Sequence, residues 1–396
     1  MQLSGGVGQA RREPGCPGPG AAVYLGAVPG PRRVGSAPFQ PLFETLAGPV
    51  AGPHTPGAFW RGLRTVAIDG TSLHLPDSDP IAARHSKRKR KGEDVEFDYP
   101  LLRLLTLIEC GTRAVLAAAF GPETTGETTY VEQMLDRLTR GMLVLLDTGF
   151  DGYPLLLQLR STGAEFLCRS GARRIPLITK RLPDGSYLST FGMGKLPVRI
   201  VEAWITVTYA DGTVRREQWR LATSLTDHTR YPAHELVTLY HERWQAETTY
   251  FSIKATMLDG RILRSHRPQE VEQEVYALLT VYQALIRITT DATAGRPGLD
   301  PDRISFTIAL ETARDQVTTA AGIIPREVTL VSTIGHAILD NLLPARRRQR
   351  AKARTRKNPT SKYSKNSLQH PATAQHYTLE TEVTVMEDGL KTRSKR

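Results

Sequence analysis

Met142-Leu143-Val144-Leu145-Leu146-Asp147-Thr148-Gly149-Phe150 is the stretch on which the reading of the fold turns. Met142 to Leu146 is a continuous apolar run, the mark of a strand buried on both faces, and it delivers Asp147 at its carboxyl end. Upstream, Gly126 to Gly141 reads as a helix, because Tyr130, Val131, Met134, Leu135 and Leu138 form a helical stripe and Gly141 suits a C-terminal cap. Pro100 to Glu109 and Ala114 to Phe120 read as two strands joined by a turn at Gly111, and Thr65 to Leu75 as an earlier strand interrupted by Asp69-Gly70. Downstream come a helix from about Tyr153 to Ser161 and a strand from Glu165 to Arg169. This β-β-β-α-β-α order predicts an α/β fold, a mixed sheet with helices on both faces.

Further along, the pattern changes twice. Val198 to Tyr209 and Val214 to Thr223 are strand-like and are separated by the hairpin signal Ala210-Asp211-Gly212, so residues 171–230 read as a β-rich insertion. Pro232 suits the first turn of a helix running to about Ala255. Val271, Val275, Leu278, Leu279, Tyr282, Leu285 and Ile286 mark another long amphipathic helix.

The helix after Pro232 carries an unusual stripe. At about 100° per residue, Tyr240, Arg243, Glu247 and Lys254 fall within an arc of roughly 60°. A phenol, a guanidinium, a carboxylate and an ammonium, flanked by Trp244 and Phe251, are the equipment for holding a metal ion and a phosphodiester together.

The spacing Tyr-x2-Arg-x3-Glu-x6-Lys resembles the signature of the insertion-sequence-four family of bacterial DDE transposases, in which the Glu is the third catalytic carboxylate. Thr65-Val66-Ala67-Ile68-Asp69-Gly70-Thr71 is similar to that family's first-Asp segment, and Met142 to Phe150 to its second. The resemblance runs from about Phe39 to about Val317 and includes Leu263-Arg264-Ser265 and Asp300-Pro301-Asp302-Arg303-Ile304-Ser305-Phe306-Thr307. It implies an RNase H-like core with a β-rich insertion before the helix that bears the Glu. It also implies an enzyme that cuts DNA at an element's terminal inverted repeats and joins the 3′-hydroxyl ends to target DNA. Asp69, Asp147 and Glu247 would then be the catalytic residues and metal ligands, and Tyr240, Arg243 and Lys254 the DNA-binding ones. Relatives with such an insertion stack an aromatic on a displaced base; Trp204 and Trp219 are candidates, although their strand placement favours ordinary packing.

Cutting and joining DNA are in-line displacements at phosphorus, in which two divalent ions stabilise the attacking and leaving oxygens. Two Mg2+ ions suit the oxygen-only ligand set, and Mn2+ can substitute. Each carboxylate also has a plainer reading. Asp69-Gly70 suits a turn, Asp147 a helix cap, and Glu247 an exposed ion pair with Arg243 four residues earlier.

Charge points to the same partner. The 396-residue chain has a formal net charge of +12, which fits double-stranded DNA, both element ends and target, with a homodimer expected on it. No apolar stretch approaches the eighteen or so residues of a spanning helix, the first 20 residues lack the apolar segment of a signal peptide, and no nucleotide-binding loop occurs. A cytoplasmic, nucleoid-associated bacterial protein without membrane or nucleotide cofactor is expected. Cys16, Cys110 and Cys168 have no zinc or disulfide spacing, and Cys110 and Cys168, which both end apolar runs, read as reduced, buried thiols.

The ends are compositionally different. Residues 1–38, with 9 Gly, 6 Pro and the single acid Glu13, read as disordered. Residues 39–170 read as the first part of the core, 231–344 as the helix bearing Glu247 with a helical region after it, and 345–396 as a disordered basic tail. Within that tail, Arg346 to Lys365 holds ten Lys or Arg and no acid, and Arg84 to Lys91 forms a shorter basic run. Two departures from the resemblance stand out: Thr148 occupies a place that is often basic, and a Gly/Pro-rich stretch precedes Phe39 where relatives carry a helical DNA-recognition region. A truncated or frame-shifted copy is therefore expected, and a non-catalytic DNA-binding remnant or a stand-alone nuclease remain as alternative readings.

Overall fold

Five strands form the centre of the sheet: β1 (Leu63–His74), β2 (Leu101–Glu109), β3 (Val115–Pro122), β4 (Met142–Leu146) and β5 (Glu165–Arg169). The computed structural model describes residues 34–89, 96–171, 174–208, 214–296, 298–320, 330–345 and 380–385. Across the sheet the order is β3-β2-β1-β4-β5; β1, β4 and β5 run parallel, while β2 is antiparallel to both β1 and β3. This is the RNase H-like mixed sheet. All of Met142 to Leu146 is buried, as a strand flanked by parallel neighbours and covered on both faces must be.

The period-two alternation of the strands divides the core into two layers. Ala67, Leu143, Leu145 and Leu167 pack toward one face, with Tyr240, Ala246, Tyr250, Val275 and Tyr282 from helices. Val66, Ile68, Val144, Leu146 and Phe166 pack toward the other, against α2 (Glu127–Glu132) and α3 (Tyr153–Ser161). Helix α1 (Phe39–Leu46) joins the first face through Phe43.

One expected helix is shorter than its pattern. The stretch 126–141 is α2 followed by a single 3-10 turn at Leu135–Arg137, although Tyr130, Val131, Met134 and Leu138 are buried as the stripe required. The chain must leave the helix to bring Gly141, at φ +90°, into line with β4, where its carbonyl accepts from Arg64 N.

The insertion does not form a separate sheet. Its strands β6 (Lys180–Arg181), β7 (Tyr187–Phe191), β8 (Leu196–Thr208) and β9 (Val214–Thr223) extend the core, because β9 pairs antiparallel with β5 at Leu221↔Arg169, Ala222↔Cys168 and Thr223↔Leu167. An open strand edge is thereby covered, and the sheet reaches eleven strands. Part of the stretch expected to be a disordered tail contributes one of them: β10 (Glu380–Val385) pairs with β8 from Ala203↔Val385 to Thr208↔Glu380. The remainder of that tail, 346–379 and 386–396, the Gly/Pro-rich residues 1–33 and the hairpin signal at 210–212 lie outside the described residues.

The helix expected from Pro232 to Ala255 is four linked pieces. α4 (Ala233–Tyr240) passes through a 3-10 turn (His241–Arg243) into α5 (Trp244–Phe251), and π-type turns follow at Ser252–Met257. Its start is fixed by the insertion. The Asp184 carboxylate accepts from Ala233 N at 3.0 Å and pairs with the fully buried Arg199, which donates to Tyr231 O at 2.6 Å and Ser186 Oγ at 2.7 Å. Helices α6 (Pro268–Ala294), α7 (Phe306–Ala320) and α8 (Leu330–Asp340) follow. Among the described residues no helix is long and apolar enough to cross a membrane. In the basic run 84–91, Arg84 pairs with Glu272 at 3.2 Å and Lys87 with Asp77 at 2.5 Å, so part of its charge is already met by acids.

Candidate active site

Strand register brings two of the expected carboxylates together. Ile68 of β1 lies beside Leu146 of β4, the last parallel pair, so Asp69 within β1 and Asp147 just past the end of β4 follow side by side on two parallel strands, which in sheets lie about 4.8 Å apart. Ala67 and Leu145 face the α4–α6 layer; two residues on, Asp69 and Asp147 project toward the same layer. Asp147 also serves as the cap of a 3-10 turn, accepting from Thr148 N at 2.8 Å.

Helix α5 supplies the third carboxylate, and Arg243 links it to the first. The Arg243 guanidinium donates to Asp69 Oδ2 at 3.1 Å and to Glu247 Oε1 at 3.1 Å, with only 7% of its side chain exposed. Burial raises the Asp69 carboxyl from 3.8 to about 6, against the opposing pull of Arg243 and the Gly70 N–H; the charges of Glu247 and Asp147 add to the rise. At Arg243 burial opposes the charge, but Tyr240, Asp69, Asp147 and Glu247 outweigh it and hold the guanidinium protonated beyond its ordinary range.

Among the described residues no three His, Cys, Asp or Glu side chains stand close enough to hold a metal ion as a ready cluster. The donor chemistry nevertheless fits a hard divalent cation: the set is all carboxylate oxygen, Asp69 is buried, and the Arg243 guanidinium stands in as the cation between Asp69 and Glu247.

The rest of the stripe is divided between rim and core. Lys254, half-buried, donates from Nζ to Ser72 O at 2.9 Å and Thr71 Oγ1 at 3.2 Å, just beyond Asp69 along β1. Tyr240 departs from expectation. It is 3% exposed, its hydroxyl donates to Leu146 O at 2.9 Å, and its ring packs edge-on against Trp219. That placement puts it in the core. Tyr240→Phe should accordingly lower stability by about 1 kcal/mol, by leaving the Leu146 carbonyl without this donor, and leave DNA affinity within about twofold. Chemical denaturation and duplex titration check it; lost affinity at unchanged stability would return the hydroxyl to the DNA surface. Trp219 is likewise buried, and Trp204 lies under the Arg216 guanidinium at 4.8 Å.

Three residues near the aspartates were not singled out from sequence. Tyr250 donates its hydroxyl to Asp69 O, and Thr106 donates to that hydroxyl from its amide at 3.1 Å and its Oγ1 at 3.0 Å. Glu127 reaches the strand ends from the opposite face: a Cβ added at Gly70 would lie 3.4 Å from its Oε1, and one at Gly149 3.7 Å from its Oε2. Gly70 and Gly149, one and two residues after the aspartates, were the available signal.

Over 263 residues the chain is 28% identical to "Transposase InsG for insertion sequence element IS4" of Escherichia coli (strain K12), covering 64% of this chain and 58% of that protein. It is 29% identical over 138 residues to "Putative transposase InsZ" of the same organism, covering 34% of this chain and 44% of that protein. The chain thus spans little more than half the length of the first of these relatives. A cryo-EM structure of a piggyBac transposase synaptic complex with hairpin DNA aligns with a TM-score of 0.42 at 14% identity, over 74% of this chain and 59% of that one. The family described as "Transposase DDE domain" matches residues 60–284, more than half of the chain, across both aspartate strands and the Glu247 helix. The chain belongs to that family, as an IS4-like DDE transposase.

Proposed function

We propose that this chain cuts DNA at the terminal inverted repeats of its own element and joins the freed 3′-hydroxyl ends to target DNA. It would act in the bacterial cytoplasm as a homodimer on DNA. The observations that carry this reading are that Asp69 and Asp147 follow neighbouring residues of two parallel strands and that one buried guanidinium bridges Asp69 to Glu247 on a separate helix. A pair of Mg2+ ions, or Mn2+ in their place, would be held by Asp69, Asp147 and Glu247 and would supply Lewis acidity to an in-line displacement at phosphorus.

The chain's own groups have separable tasks. Rigid strands hold Asp69 and Asp147 in register, and α5 presents Glu247 across from them. Arg243 balances the carboxylates before loading and offers its guanidinium to the DNA backbone afterwards. Lys254 meets a neighbouring phosphate from the rim. Tyr240 holds the helix to β4 and takes no part in binding DNA.

Asp69 must be ionised to serve, which sets a pH dependence. Its carboxyl sits near 6 in the folded protein and 3.8 ordinarily, so folding favours the acid form. The stability this group contributes is present below about pH 4 and lost as pH rises through about 6. Cleavage runs the other way: its rate should climb about tenfold per pH unit up to near 6 and level off above. Raising magnesium should move that midpoint lower, since cation and proton compete for the same oxygens. A single-turnover profile that is flat from about pH 5 to 7 would exclude Asp69 as the titrating group.

The direct test uses a labelled duplex carrying the end that flanks the chain's own gene. Magnesium-dependent strand cleavage leaving a 3′-hydroxyl is expected. Binding without cleavage in either Mg2+ or Mn2+ would overturn the enzyme reading and leave the DNA-binding remnant.

A further inference from the structure

Tyr250 lies three residues after Glu247 on α5, is 6% exposed, and ends its side chain inside the sheet. Asp69 and Thr106 are paired across β1 and β2, and the phenol bridges the Asp69 carbonyl to the Thr106 amide across that pair. With the Thr106 hydroxyl as a further donor, the phenol gives one hydrogen bond and receives two, so its whole hydrogen-bonding capacity is used. Thr106 itself is fully buried.

Helix irregularity makes this reach possible. In an uninterrupted α-helix Tyr240 and Tyr250 would point about 80° apart. Three residues wound as a 3-10 turn, His241–Arg243, add about 20° each and reduce the difference to about 20°. Both hydroxyls then face the neighbouring strands β4 and β1, Tyr240 at Leu146 O and Tyr250 at Asp69 O, on either side of Arg243 and Glu247.

We propose that Tyr250 is the positioning residue for Asp69: by holding the Asp69 peptide, it sets the distance from that carboxylate to Glu247 on the same helix. It touches neither DNA nor metal. The assignment rests on the reading of Asp69 and Glu247 as partners in metal binding, and it goes further by naming what fixes their separation. Side chains that orient metal-binding carboxylates typically cost about 10–100-fold in metal affinity or activity when lost.

The test compares Tyr250→Phe with Tyr282→Phe in the full chain. Tyr282 is a matched control: its buried hydroxyl also donates to a backbone carbonyl, Arg113 O at 2.9 Å, in the same core. Two readouts are taken, single-turnover cleavage at saturating DNA and the magnesium concentration that half-maximally raises Tm without DNA. Tyr250→Phe is expected to slow cleavage about 10–100-fold and raise the magnesium midpoint several-fold, with DNA affinity within about twofold. Tyr282→Phe should change stability alone. The proposal is overturned if Tyr250→Phe keeps the parental magnesium midpoint, if Tyr282→Phe shifts both readouts equally, or if magnesium leaves the parent's Tm unchanged. A parent that binds magnesium but does not cut, with a midpoint that Tyr250→Phe displaces, would remove the proposed function and leave the positioning role standing.

Discussion

Alanine at any one of Asp69, Asp147 or Glu247 is expected to lower strand cleavage by about a thousandfold or more, while duplex affinity changes only a few-fold. The three carboxylates come from β1, the end of β4 and α5, so none has a neighbour on its own element able to take its place. Affinity persists because DNA is held through cations, and the substitutions remove acids. Gel-shift titration and single-turnover cleavage on one labelled end duplex separate the two effects. A variant that cuts within about tenfold of the parent removes its residue from the site.

Arg243→Ala should destabilise the metal-free protein by about 3 kcal/mol. Its guanidinium is the shared partner of Asp69 and Glu247, whose side chains are 18% and 27% exposed, and truncation leaves both carboxylates without this partner. Adding Asp69→Asn to that variant should recover part of the loss by removing one of the charges. Urea denaturation of the two single variants, the double variant and the parent gives the coupling. A loss under about 1 kcal/mol for Arg243→Ala would be that of an exposed ion pair and would contradict a buried role.

The mixed α/β sheet was legible because its signals are local. An apolar run with no polar break, Met142 to Leu146, is written in consecutive residues, and so are the alternating strands, the Asp within β1 and the Asp that follows β4. Arg243 and Glu247 were visible as an i,i+4 pair for the same reason. Tyr240 was placed on the right stripe and given the wrong surroundings, since periodicity tells which residues share a face and nothing of what covers it.

Sequence alone thus determined the strand order along the chain, the two strands that carry Asp69 and lead to Asp147, and the stripe of Arg243, Glu247 and Lys254. Only tertiary structure decided that the insertion continues the core sheet, because the pairing of β9 with β5 joins residues more than fifty apart in the chain. It also decided the role of Tyr250. A uniform helical period sets that side chain about 80° from Tyr240, and the 3-10 turn that closes the gap forms where Arg243 is drawn onto Asp69, a partner 174 residues away. Spacing in sequence carries the angle of a regular helix; departures from that angle depend on contacts with distant strands, and those exist only once the sheet has formed.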